Sequence, residues 1–528
     1  MRILDTRALR RDWHVGGMTA VRCWLMALLL SSFAFAAAQA EPAFVEIHVD
    51  ARSSFAADSN RGDAAAPLAT LMEGVRRADA NRLRGVPTRV VVHPGTYREG
   101  LIGPLESREG VPIVIEASVP GEVVVSGSDV WTDWQCDGRT CTHHWPFAWG
   151  FAPVPWPQVD LGPIATRREM VFVDGAFIEQ RLERVQVMAE PGTFFVDEDV
   201  QEVLVHVPEG ADPAAAVFEV AVRDRLLFLQ GMDNLTIRGL VFEHGNPPLP
   251  NTAVRVIDQQ DVTLENIVVR WSNWGGVWFK GTNLVMRDSL VTHNGASGVS
   301  AFQTDGLLLE RNTSTYNNWR GYAGGLTGWS VGEKFLVTRN LVVRDHVAEH
   351  NLARGLWIDH DNTNVIIERL RACHNLNDGL FVERSQGPVR VVDSVLCHNG
   401  RAGLRTSAIN GLEVRSNVLE GNEAGQLVIS GDINVEIESW FDGSRHLLQN
   451  RSWRVIDNVL VGSGDAFLVT TSLPRTSWLD LMMGARFEEN EYVHDRPEAF
   501  MVHGGTLVDF AAWQLASFQD LNSRFRQP

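Results

Sequence analysis

Glycines recur at Gly276, Gly298, Gly321, Gly355, Gly379, Gly403 and Gly425, with spacings of 22, 23, 34, 24, 24 and 22 residues. Asparagine stands four residues before five of them, at Asn294, Asn317, Asn351, Asn375 and Asn399, and histidine precedes the asparagine at His293, His350, His374 and His398. Between the glycines lie short runs such as "VIIERL", "VRVVDSVL" and "LEVRSNVL", too short for helices and rich in β-branched residues. Three short strands and three turns in such a span make one coil of a parallel β-helix. A single coil cannot bury its inner face, so neighbours stack and the core becomes a continuous column. Residues 226 to 480 read this way almost without a break. The His-Asn pairs could be metal ligands, but they track the turns, and stacked amides at a turn satisfy one another and the backbone. The structural reading is the expected one.

The ends break the rhythm. In residues 1 to 40, Arg22 precedes an apolar run from Trp24 to Phe35 and the small-residue site Ala38-Gln39-Ala40, the pattern of a cleavable secretory signal. No other segment has transmembrane character, so an exported protein, periplasmic or secreted, is expected. Residues 41 to 130 read as an N-terminal cap, with a helix from about Leu68 to Ala80, and the first coils. Residues 131 to 222, with alternating strands and Asp-Gly and Glu-Gly turns, read as an inserted antiparallel β-sandwich, in which His143 and His144 are surface or packing residues. Coils then run through residues 223 to 480, and residues 481 to 528 form a C-terminal cap whose helix has Asp509 as N-cap and Phe510, Trp513 and Phe518 on one face. The fold class is therefore all-β: a parallel β-helix with an inserted β-sandwich and helical end caps.

Charge and cysteine content narrow the partners. A formal net charge of −18 makes nucleic acid and anionic membrane poor partners. Cys136 and Cys141 flank a turn-like Asp-Gly-Arg, which predicts a small hairpin disulfide in an oxidising compartment. Cys373 and Cys397 fall in the matching phrases "ACHN" and "LCHN" and should stack, as a bridge or as free thiols. No CxxC pair supports metal binding by these four.

The coil beginning at Gly355 reads Gly-Leu-Trp-Ile-Asp359, and the next reads Gly-Leu-Phe-Val-Glu383. Strand side chains alternate, so Val277, Phe279, Val299, Ala301, Leu356, Ile358, Leu380, Val382, Leu404 and Thr406 point inward. Trp357, Asp359, Phe381 and Glu383 point out. Stacked strands then set the two carboxyl groups roughly 5 to 6 Å apart. Like charges directly opposite on neighbouring strands destabilise a sheet, so the placement needs a reason. Two carboxyl groups about 5 to 5.5 Å apart suit a retaining glycosidase, one as nucleophile and one as acid then base. Trp357 and Phe381 would offer flat surfaces to sugar rings. The alternatives are an inert outward pair and a lyase or metal site in which Asp359, Asp361 and Glu383 supply oxygen ligands to calcium. The long coil's extra segment, "GYAGGLTGWSVGEK", would wall the site, and the only lysines, Lys280 and Lys334, fall on or near this face.

The coil pattern with its asparagine ladder resembles the right-handed parallel β-helix, or pectate-lyase-like, superfamily, and the resemblance covers most of the chain beyond residue 40. "REMVFVDGAFIEQ…GTFFVDEDVQEVLVHVPEGADP", followed by "GLWIDHDN" and "GLFVERSQGP", is similar to β-helical glycoside hydrolases, above all the β-xylosidases of family 120. That resemblance implies that Asp359 is the nucleophile and Glu383 the general acid/base. The family has an aromatic residue where this chain has His360. The expectation is a retaining glycoside hydrolase acting on an oligo- or polysaccharide without a cofactor, with Trp357, Phe381, Trp329, Lys334, Arg384 and Lys280 as substrate contacts. The runner-up is a polysaccharide lyase using Lys334 or Arg384 as base, with calcium; the third is a non-catalytic carbohydrate-binding protein.

Overall fold

The structure, a computed structural model, describes residues 43 to 528 except 104, 106 to 109, 154 to 160, 322 to 330 and 432 to 433. The expected signal segment and Trp329 lie outside the described residues. The column is a right-handed parallel β-helix. One coil consists of the strands Arg354–Ile358, Thr363–Glu368 and Arg371–Cys373, and the next of Leu380–Ser385, Val389–Val392 and Val395–Cys397. Each strand pairs in parallel with its counterpart one coil on. The third strands build a 13-stranded sheet, while the other two faces form one bent 22-stranded sheet, because strands such as Gly275–Arg287 and Val331–Arg344 run through the corner unbroken. The bend is made by left-handed residues at Gln303, Val337, Asp361, Arg384 and Ala408. The apolar residues assigned inward all sit in the column, from Val277 and Phe279 to Leu356, Ile358, Leu380 and Val382, and Thr406 is buried.

The asparagines form a buried ladder. Each Nδ2 donates to the Oδ1 of the next, from Asn294 to Asn317 (2.9 Å), Asn351 (3.0 Å), Asn375 (3.1 Å), Asn399 (3.0 Å) and Asn422 (2.8 Å), and Asn422 ends on Gln426. The repeated glycine follows from this ladder: a Cβ on Gly355 would lie 2.8 Å from Asn375 Nδ2, and one on Gly379 2.5 Å from Asn399 Nδ2. Two glycines of the sequence pattern are out of frame. In the long coil the ladder-facing glycine is Gly332, not Gly321, since Glu333 pairs with Val299 and Leu356; the extra residues fall between Asn317 and Gly332. In the coil after Gly403 that place belongs to Gln426, because Gly425 pairs with Ala402. The histidines stack outside the ladder with Tyr316, at centroid distances of 5.0 to 5.3 Å from His293 to His398. Asn375→Ala is expected to lower stability by about 1 to 3 kcal/mol, because buried partners on both sides lose a bond. Urea unfolding checks this, and an unchanged midpoint would show that the ladder contributes nothing.

A second ladder at another corner escaped the repeat pattern: Asn417, Asn458, Asn490 and Asp520 are linked by bonds of 3.0 Å. Its members lie 41, 32 and 30 residues apart, so irregular coils hid the period. The insertion has eight strands between Ser128 and Ala221, in two groups that share the strand Ala176–Gln180, which makes the one parallel pairing, with Thr193–Asp197, among antiparallel ones. It wraps its own core of Trp145, Val171, Phe194, Val203 and Phe218. Cys136 and Cys141 are joined there, and Cys373 and Cys397 bridge neighbouring coils. The cap helix Leu71–Arg82 is N-capped by Thr70, and Phe510–Ser517 by Asp509. Trp513 is buried, whereas Phe518, expected beside it, is the left-handed C-cap and is exposed. A further helix, Arg475–Gly484, closes a late coil with Trp478, Leu481 and Met482.

Candidate active site

Asp359 and Glu383 stand at equivalent places one coil apart. Trp357 pairs with Phe381 and Ile358 with Val382, so the next residue in each strand direction is an acid, immediately before the corner. Parallel stacking thus turns two matching sequence phrases into two carboxylates on one outer face. Their neighbours decide how they differ. Lys334 pairs with Trp357 across the preceding coil and sets its Nζ 2.8 Å from Asp359 Oδ2, with 4% of the lysine side chain and 15% of the aspartate exposed. The ammonium also lies 3.5 Å from the Trp357 ring centroid, a cation–π contact that fixes it. Glu383 has Arg384 Nε at 3.9 Å.

The surroundings act on the protons of Glu383 and Lys334. Burial, then the charge of Asp359, pushes the Glu383 carboxyl above the usual carboxylate range, against the opposing pull of Arg384, Lys334 and Arg354. Burial lowers the Lys334 ammonium, with Asp359 and Glu383 resisting. The result is one carboxylate compensated by a lysine and one carboxyl inclined to hold its proton. A group that gives up a proton beside a group that carries charge is the usual division of labour between paired acids.

Trp357 and Phe381 point outward as expected but are only 3% and 4% exposed. They stack on each other at 5.4 Å and are covered by Lys334, by Arg354, 4.7 and 5.4 Å from the two rings, and by Arg405, 4.8 Å from Phe381. They are the floor under the charged groups and not open platforms. Arg354 is itself buried, its Nε 3.0 Å from buried Asp378. Lys280 is not brought to the acids: its Nζ lies 3.0 Å from Asp258 Oδ1, three coils away. Asp361 is buried, accepting from Gln386, Ser439 Oγ (2.7 Å) and the Trp440 amide (3.1 Å) and pairing with Arg339 (3.1 Å). Its oxygens are therefore occupied, and among the described residues no three His, Cys, Asp or Glu are grouped to hold a metal.

Two features went unread in the sequence. Glu333 occupies an inward position and pairs with His346 at 3.0 Å, both fully buried, directly behind the strand of Lys334. The hairpin Val435–Glu438 and Arg445–Leu448 folds back along the outer face, where Trp440 packs on His360 at 5.0 Å and Phe302 at 6.2 Å. The Asp442-Gly443 turn behind two adjacent aromatics was its sequence signal.

Residues 226–360 match the family model described as a right handed beta helix region. No curated protein matches the sequence significantly. Among solved structures, XylC in complex with xylose is similar at 13% identity and a TM-score of 0.68, covering 88% of this chain and 86% of that one. The A-module of the Azotobacter vinelandii mannuronan C-5 epimerase AlgE6 is 15% identical with a TM-score of 0.48, covering 91% and 99%. A protein described as a glycoside hydrolase is 13% identical with a TM-score of 0.45, covering 91% and 96%. Coil stacking, ladder and the likeness to XylC agree: this chain has the right-handed parallel β-helix fold.

Proposed function

We propose that the protein is an exported retaining glycoside hydrolase in which Asp359 is the nucleophile and Glu383 the general acid/base. The observation that carries this reading is the asymmetry of the pair: a lysine-compensated aspartate one coil from a glutamic acid whose proton is held by burial and by that same aspartate. Asp359 attacks the anomeric carbon as Glu383 donates its proton to the departing oxygen, forming a glycosyl ester. Glu383, now a carboxylate, takes a proton from water as that water attacks the anomeric carbon, and the bond from that carbon to the Asp359 oxygen breaks to free the carboxylate. Lys334 offsets the charge that returns to Asp359 in the second step. Two disulfides suit an oxidising compartment outside the cytoplasm.

The test is hydrolysis of aryl glycosides, beginning with the β-xyloside suggested by the xylose in XylC, with the product anomer read by proton NMR. Retention is expected; inversion, or no cleavage across a broad panel, overturns the reading. Because the acid form of Glu383 is the active one and its proton affinity is raised, the rate should fall only as pH rises past the ordinary glutamate range, and Glu383→Ala should remove that limb. One observation favours a lyase instead: burial lowers the Lys334 ammonium, as a base would require. An ultraviolet-absorbing unsaturated product from uronate polymers would establish that alternative.

A further inference from the structure

The hairpin tip carries Trp440 and Phe441, 56% and 44% exposed, yet it is firmly held. Buried Asp361 takes the Trp440 amide and the Ser439 hydroxyl, and Gln303 donates its side-chain amide to the Trp440 carbonyl at 3.0 Å. The indole rests against His360, the residue after Asp359, and on Phe302. Phe302 pairs with Leu336, and these two continue the line of Asp359 toward the earlier coils. An exposed indole on a tethered backbone thus stands against the residue that follows Asp359.

Beyond it, Phe441 lines a cleft of about 290 Å³ with Asp258, Lys280, Gln303 and Asp305. A flat apolar ring ringed by a few convergent charged and amide groups is the composition that receives a pyranose: the ring takes its C–H face and the polar groups its hydroxyls. Lys280 and Asp359 are three coils apart, roughly 14 Å along the axis, which is farther than one sugar ring spans. We propose that this cleft is a distal saccharide subsite, that Trp440 is the stacking platform between it and the carboxylate pair, and that the ligand is an oligosaccharide laid along the outer face. The proposal rests on the hydrolase reading for the identity of the near position only.

The experiment measures binding by calorimetry to the protein carrying Asp359→Asn, with xylohexaose, cellohexaose and hexagalacturonate against xylose, glucose and galacturonate. At least one hexasaccharide should bind roughly tenfold or more tightly than its monosaccharide. Adding Trp440→Ala, or separately Lys280→Ala, should shrink that length-dependent gain to about threefold or less, with circular dichroism confirming that each variant is folded. No hexasaccharide binding, no gain with length, or a gain that survives both substitutions overturns the subsite. The two readings fail separately. A gain lost in both variants, in a protein that cleaves no glycoside, leaves the subsite and removes the hydrolase; cleavage that depends on Asp359, without any gain, does the reverse.

Discussion

Asp359→Ala should abolish turnover on every glycoside, whatever its leaving group, with a loss of roughly four orders of magnitude or more. Glu383→Ala should behave differently. It removes proton transfer, worth about 10²- to 10⁴-fold, so a substrate whose leaving group needs no protonation should still load the enzyme and stall as the glycosyl ester. Added azide should then release the sugar as a glycosyl azide of retained configuration, since it replaces the water that Glu383 would have activated. Mass spectrometry of the stalled protein would place the sugar on Asp359. Equal losses in both variants, with no dependence on leaving group and no azide product, would remove the assignment. Asp359→Asn is the better companion for stability work, because truncation to alanine strips a partner from a lysine that is 4% exposed.

Arg354→Met should cost about 3 to 5 kcal/mol, because it leaves the carboxylate of Asp378 in the interior without its closest cation. Arg354 and Asp378 are 2% and 1% exposed and 3.0 Å apart; the next cation, Arg405, is 4.0 Å from the same oxygen. The double change Arg354→Met with Asp378→Asn should recover a substantial part of the loss, since the uncompensated charge is then gone. Urea unfolding of the three variants checks both statements. A single-variant loss of under about 1 kcal/mol would show that Arg405 and the Ala402 amide already satisfy Asp378. The same pair supports the floor of the site, as the guanidinium lies over Trp357 and Phe381.

The column was legible in the residues because a β-helix repeats one local rule. Alternation assigned Leu356, Ile358, Leu380 and Val382 to the core, and the asparagines declared a ladder because each must satisfy the next. The same rule located Asp359 and Glu383 on one face, since equal offsets from stacked glycines become neighbours whatever the rest of the coil does. Where the coil length changed, the rule failed. Gly321 kept the asparagine spacing but not the register, and Gly332 holds its place, because insertion length alone does not say on which side of a turn the extra residues fall.

Burial and long-range contact were decided only in three dimensions. The outward direction of Trp357 and Phe381 was readable, but not the arginines and lysine that cover them, which arrive from three different coils. Lys280 and Lys334 look alike in the sequence; their coils place one beside Asp258 and the other beside Asp359. Asp361 looked like a partner of Asp359, two residues away, until the left-handed corner turned it toward a hairpin nearly 80 residues further along. Periodicity is local, so the sequence by itself determined the column and the side on which the acids stand. The depth of each charge and the partner it meets depend on which distant segments pack over that side, and only the tertiary structure decided these.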